Sequence, residues 1–312
     1  MSIKKYLLTF LAALMLLSLS ACKPATPKET EAKHYSVIAP SGAPSLALLD
    51  LADDENTTIE IVDGADALTA EFSNAEKDFI IAPINLGVKL SQKTENYQLM
   101  AVLTWGNLFL VTKDENTSAR LAGAKVAAFG EAAVPGKVIG YLAEELQGVE
   151  FEWFTSVQEA SAAFLSGEYD AAVLAEPVLT MAHAKWKENN EEDFVVAYDL
   201  QELYKEKSGF QSYPQAALFV RKATLQEDSG SVVEFTNIIK QSISKYNGNA
   251  DVLSKRIDEI DLTAFGFQNP DLIKKAYSKM ALNYRLASEC LEDIRNFLSI
   301  FEIELEEKVY VK

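Results

Sequence analysis

From residue 34 onward, apolar and polar positions alternate between two periods, those of strand and helix. Residues 34–40 (HYSVIAP) read as a strand, and Ser41-Gly42-Ala43-Pro44 follows as a turn. Residues 45–51 suit a short helix, 58–62 a strand and 65–74 a helix. Phe79-Ile80-Ile81-Ala82 is a continuous apolar run, as expected of a strand covered on both faces. Asn85-Leu86-Gly87 opens another helix, and 99–103 and 108–112 are apolar runs rich in β-formers.

The order then repeats. Residues 125–129 (KVAAF) predict a strand, 130–136 a loop, 137–146 a helix, 150–154 a strand and 157–165 an amphipathic helix. A buried strand at 171–174 runs into Glu176-Pro177, and a helix follows. Strands are expected at 194–198 and 215–220. Beyond Arg221 the pattern is mainly helical, at 232–246, 250–258, 271–280 and 288–302, with a short strand at 283–286. Strands alternating with helices predict a parallel, doubly wound α/β arrangement, present twice and followed by a helical C-terminal part. The two halves share their order of elements but not their sequence.

The chain before residue 34 is different. Lys4 and Lys5 precede an apolar run at 6–19 that is too short to span a bilayer, which needs roughly 20 residues. Leu19-Ser20-Ala21-Cys22 follows at once and resembles the bacterial lipobox, which implies cleavage before Cys22 and lipid on its thiol. Residues 1–21 are then a lipoprotein signal peptide. Residues 22–33, rich in Pro, Thr, Lys, Glu and Ala, form a flexible tether. Loss of the leader takes the formal charge from −17 to −19 and leaves Cys22 and Cys290 as the only cysteines. That charge argues against a nucleic-acid partner, and no disulfide framework or cysteine-based metal site can form. Cys290 falls in an apolar helical pattern and reads as a plain buried thiol.

Five segments carry a resemblance. They are Ser41-Gly42-Ala43-Pro44-Ser45, Ile81-Ala82-Pro83-Ile84-Asn85-Leu86, Thr104-Trp105-Gly106-Asn107-Leu108, the run from Tyr169 through Glu176-Pro177, and Tyr213-Pro214-Gln215-Ala216. In this order they resemble bacterial solute-binding proteins of the nitrate, sulfonate and taurine group, which share a fold with thiamine-precursor binding proteins. The resemblance implies the type II periplasmic-binding-protein fold: two lobes joined by two crossing strands, with ligand in the cleft between them. Runs 108–112 and 215–220 fit the crossings, giving a first lobe of 34–111 plus 218–312 and a second of 112–217. It also implies the binding component of an ABC importer, a monomer held outside the cell membrane by its lipid. Its partners would be a small-molecule solute and an ABC permease. A lipoprotein sensor or adhesin on the same fold is the alternative.

A physical rule selects candidate residues independently, since doubly wound sheets bind ligands beyond the carboxyl ends of their strands. Ser41, Gly42 and Ala43 form such a loop, with Pro44 suited to a first helical position and backbone N–H groups facing a ligand's oxygen. A simple turn capped by Ser41 is the plain alternative. Asn85 offers a polar contact or a helix cap. Val134 and Pro135 occupy the matching loop of the second half. Trp105 supplies a flat wall or core packing, flanked by Thr104 and Asn107. Glu176 is a cleft-edge carboxylate or a helix-start one. Tyr213 precedes the second crossing and has a ring and a hydroxyl to offer. None of the five arginines (Arg120, Arg221, Arg256, Arg285, Arg295) falls in these loops, which favours a neutral, zwitterionic or cationic ligand with a flat or apolar part. Only His34 and His183 are present, neither in a catalytic or metal-binding spacing, so neither an enzyme nor a cofactor is expected.

Overall fold

The computed structural model describes residues 33–118 and 121–312. The expected leader (1–21), Cys22, the tether up to residue 32 and Arg120 lie outside the described residues. The strands are β1 (Tyr35–Pro40), β2 (Thr57–Val62), β3 (Phe79–Pro83), β4 (Tyr97–Trp105), β5 (Phe109–Thr112) and β6 (Lys125–Phe129). They continue with β7 (Glu150–Phe154), β8 (Ala171–Leu174), β9 (Val195–Asp199), β10 (Pro214–Arg221) and β11 (Leu282–Leu286).

These strands build two sheets, one ordered β11-β4-β10-β3-β1-β2 and the other β7-β6-β8-β5-β9. The apolar runs lie inside them. The apolar residues of β3 and all of β8 are buried, whereas the edge strands β2 and β7 expose their polar positions. Each sheet has a parallel heart, with β1 between β2 and β3, and β6 between β7 and β8. The all-parallel expectation holds only there. Strand β10 runs antiparallel to β3 and β4, β11 to β4, and β5 to β8 and β9. Strands β5 and β10 each enter a sheet on arriving from the other one, and both run antiparallel to its parallel heart.

The chain therefore forms two α/β lobes, and it changes sheet between Trp105 and Phe109 and again between Asp199 and Pro214. The runs expected to cross, 108–112 and 215–220, each lie in or beside a single sheet. The expected limits at 111/112 and 217/218 thus cut β5 and β10. The helical tail behaves as expected. Helix Ser229–Gly248 lays Val232, Phe235, Ile239 and Ile243 on the first sheet, in one cluster with Leu218, Val220 and Leu46. Cys290 is a buried thiol just ahead of the helix Leu291–Ser299, and burial pushes its pKa up to about 12. No helix among the described residues is long and apolar enough to cross a membrane.

The sequence pattern predicts no element between 198 and 215, yet a helix, Leu200–Ser208, forms there. Asp199 caps it by accepting from the N–H groups of Gln201 and Glu202, and Gly209, at φ 77°, ends it. This helix holds the two crossings together. The Gln201 side-chain oxygen accepts from the Leu108 N–H (2.6 Å) and from the Tyr213 hydroxyl (2.9 Å). The Gly106 N–H donates to the Tyr213 carbonyl at 2.9 Å. Tyr213 is fully buried, and its ring stacks on Phe297 at 5.3 Å. One apolar cluster runs unbroken from Ile80 and Phe219 in the first lobe, through Trp105, Leu108 and Tyr213, to Val126 and Val173 in the second.

Gly106 has φ 77°, and a Cβ there would lie 2.1 Å from Cγ of Gln201. Gly123, at φ 83°, has nothing within 4 Å of the same position. Urea unfolding should therefore show Gly106→Ala costing roughly 1–3 kcal/mol more than Gly123→Ala, because only the first adds a clash to the backbone strain. Equal costs would mean that the crossing is not close-packed.

Candidate functional site

The two parallel hearts bring the ends of β1 and β8 to face each other across a cavity of about 680 Å³. The first lobe contributes Ser41, Gly42, Ala43 and Pro44, together with Gln215 and the loop 266–269. From the second come Ala175, Glu176 and Pro177 and one face each of two helices. Helix Val157–Ser166 presents Val157, Gln158, Ser161, Ala162 and Leu165, while Val178–Lys187 presents Val178, Met181, Ala182 and Lys185. Their spacings of three and four residues make each set a single stripe. Asn107, on the first crossing, also lines the cavity.

Gly42 has φ 99° and precedes a 3-10 helix, Ala43–Leu51, with Pro44 in its first turn. Another residue at Gly42 would be strained, so glycine keeps this turn tight against the cavity. Ser41 does not cap the helix. Its hydroxyl donates to Asp63 Oδ1 at 2.6 Å, and its N–H donates to the Val62 carbonyl.

Glu176 is only 3% exposed. Its carboxylate accepts from the Thr180 N–H (3.0 Å) and from the Thr180 hydroxyl (2.9 Å) at the start of helix Val178–Lys187. This residue is at once a helix-start carboxylate and a wall of the cavity. The helix dipole favours negative charge at this end. Burial pushes the carboxyl above its usual range, while the Thr180 bonds and the more distant Lys279 and His183 pull it back. Asn107, at φ 100°, fixes the Glu176 backbone from the crossing. Its side chain donates to the Glu176 carbonyl (2.9 Å) and accepts from the Glu176 N–H (2.7 Å).

Of the candidate residues, Ser41, Gly42, Ala43, Asn107 and Glu176 meet at this cavity, and the other six do not line it. Thr104 is buried in β4, where its hydroxyl accepts from the Ala216 N–H. Trp105 is 7% exposed, donates to the Asn283 carbonyl and lies under the Arg285 guanidinium. Tyr213 belongs to the crossing described above. Val134 and Pro135 are buried in the first turn of the helix Val134–Tyr141, which starts three residues before its expected position. Asn85 is the second residue of the helix Ile84–Thr94, and Pro83, not Asn85, stands at its cap.

The pattern did not single out the cavity stripes of the two helices, Gln215, or Phe267, Gln268 and Asn269. A signal did exist for the helix Val157–Ser166, which carries a second face of small and apolar residues beside the one it buries. The 266–269 loop follows Gly266 at φ 83°, whose added Cβ would touch Ser41 at 3.4 Å, a proximity with no local trace in sequence. Among the described residues no group of three or more His, Cys, Asp or Glu side chains could hold a metal ion.

No family model and no curated protein matches the sequence. Solved structures do match its fold. An ABC transporter protein from Parabacteroides distasonis aligns with a TM-score of 0.75 at 20% identity, over 90% of this chain and 99% of that one. The ligand-binding component of an ABC-type import system from Staphylococcus aureus, solved with zinc bound, gives 0.63 at 14%, over 90% and 96%. The periplasmic aliphatic sulphonate-binding protein of Escherichia coli gives 0.62 at 12%, over 89% and 95%. The two-lobed α/β fold is that of these proteins.

The raised pKa of Glu176 has a consequence for stability. The folded state holds this proton to higher pH than the unfolded chain does, so the carboxyl lowers stability progressively as pH rises from about 4.3 through its folded pKa. Glu176→Gln keeps an acceptor for Thr180 and removes the charge. Thermal melts should place the variant above wild type at pH 7, with the gap closing as pH falls towards 4. A variant less stable at every pH would show that the carboxylate is a net stabilising cap.

Proposed function

We propose that this chain is the solute-binding component of an ABC importer. It holds one small organic solute in the cleft between its lobes and is tethered outside the cell membrane by lipid on Cys22. The observation that carries this reading is the cavity itself. Its volume of about 680 Å³ is that of a small-molecule site, and both lobes line it. Likeness of fold to an ABC transporter protein, to the ligand-binding component of an ABC-type import system and to a periplasmic sulphonate-binding protein supports the same reading.

In this reading Ser41, Gly42, Ala43, Asn107 and Glu176 touch the solute, with Gln158, Gln215 and Gln268 supplying further polar groups. A solute that contacts both lobes favours the closed arrangement by the difference in its affinity for closed and open forms. The hinge is the pair of crossings at 106–108 and 209–213, and Asn107 links it to the cleft through the Glu176 backbone. The closed monomer then delivers its cargo to a permease. The chemistry required is binding without turnover.

Ala162 lies exposed on the cavity face of helix Val157–Ser166. Ala162→Trp should leave the ligand-free melting temperature within a few degrees of wild type and abolish any ligand-induced rise. A strain carrying only this variant should lose uptake of the same compound. Loss of binding with undiminished uptake would favour a sensor or adhesin. Cys22→Ser should move the protein from the membrane fraction to the soluble one and remove the acyl mass from its N-terminal peptide. An unchanged distribution would end the lipid-anchor reading.

A further inference from the structure

Resting on that cleft reading, we propose that the solute carries a positively charged nitrogen whose N–H groups bind the Glu176 carboxylate. Two carboxylate oxygens offer about four acceptor positions, and Thr180 fills one on each. Neither bond comes from a cation, and among the described residues no basic side chain lies within ion-pair distance of Glu176. The cavity therefore contains a nearly buried carboxylate with unused acceptor capacity and no protein cation in contact with it, Lys279 and His183 acting only from further away.

Lys279 and His183, the cations that act on Glu176, do so without contact, and His183 faces Asp193. Lys185 is the cavity's one basic lining residue, and it is exposed. Arg221 is committed to Asp78, Arg256 to Asp53, and Arg285 to Asp293 and the face of Trp105. Among the described residues no guanidinium fork lines the cavity for a sulfonate or phosphate, and an anion brought beside Glu176 would meet like charge in a poorly solvated site. A cation, by contrast, gains charge-assisted hydrogen bonds and supplies the missing counter-charge. The rest of the wall suits a hydrocarbon body, since Leu165, Met181, Phe267 and Leu272 lie around the same space. Burying an uncompensated carboxylate lowers stability, which is the pattern expected where a binding group is kept ready for its ligand.

Three probes with one hydrocarbon body isolate the charge: phenethylamine, phenethyl alcohol and 2-phenylethanesulfonate, titrated by calorimetry into the intact protein. The amine should bind about tenfold or more tightly than the alcohol, with the sulfonate weakest. Glu176→Gln should remove that advantage by weakening the amine at least about tenfold more than the alcohol, and a cooperative thermal melt shows that the variant is folded. A sulfonate that binds better than the amine, or an amine indifferent to Glu176→Gln, overturns the proposal. Ala162→Trp separates the two readings. Binding that it abolishes is cleft binding whatever the charge order, whereas binding that survives it refutes the cleft reading itself. If none of the three binds at millimolar concentration, the cargo decides. A compound retained from a metabolite extract of the source cells and lost with Ala162→Trp must contain a basic nitrogen, and one without it overturns the proposal.

Discussion

A chain that leaves one sheet for another abandons its ladder partners, and every backbone group on the way must find a new one. That requirement shapes the middle of this molecule. At the first crossing Gly106 turns to the Tyr213 carbonyl, Leu108 to the Gln201 side chain, and Asn107 spends its amide on the backbone of Glu176. On the second crossing Gly209 and Phe210 bond back to Lys205 and Ser208, while Tyr213 offers its carbonyl to Gly106 and its hydroxyl to Gln201. One glutamine on a short helix thus serves both passages, and Tyr213 and Phe297 seal them from water. The spacing of the lobes, and with it the width of the cleft, follows from how these few groups are paired.

The same economy explains what was legible in the sequence. Strands such as 79–82 and 171–174 are apolar without interruption because both their faces are covered, and that signal is local. The ends of β1 and β8 could be located from it, and with them Ser41–Ala43 and Glu176. Trp105, Thr104 and Tyr213 flank the crossings, a position that suits a cleft wall as well as core packing. Their partners Asn283, Ala216 and Gln201 turn them inward, and no local pattern reports contacts made over such separations. Helix Leu200–Ser208 is faint in the sequence for a different reason. It is only nine residues long and four of them are charged, so its few buried positions give a weak stripe, although Asp199 and Gly209 mark its ends.

Glu176 shows how one residue can answer to two demands. Thr180 and the helix start hold its carboxylate, yet burial opposes its charge. An apolar residue there would relieve the desolvation and lose the cap. A carboxylate keeps the cap and places a charge where both lobes converge. Its backbone is clasped by Asn107, so any force on the side chain is felt at the crossing two sheets share.

The discontinuity of the first sheet has a consequence for how the molecule is made. Strands β10 and β11 take their places beside β3 and β4 only after the whole second sheet has been synthesised, and Phe297 reaches the crossing later still. Such pairings have high contact order and form slowly. A nascent chain emerging from its N-terminus holds β1 to β4 with an incomplete layer and cannot settle into its final compact state. Completion of the first sheet therefore waits for the last few dozen residues, whereas the second sheet, built of β5 to β9 alone, needs none of them.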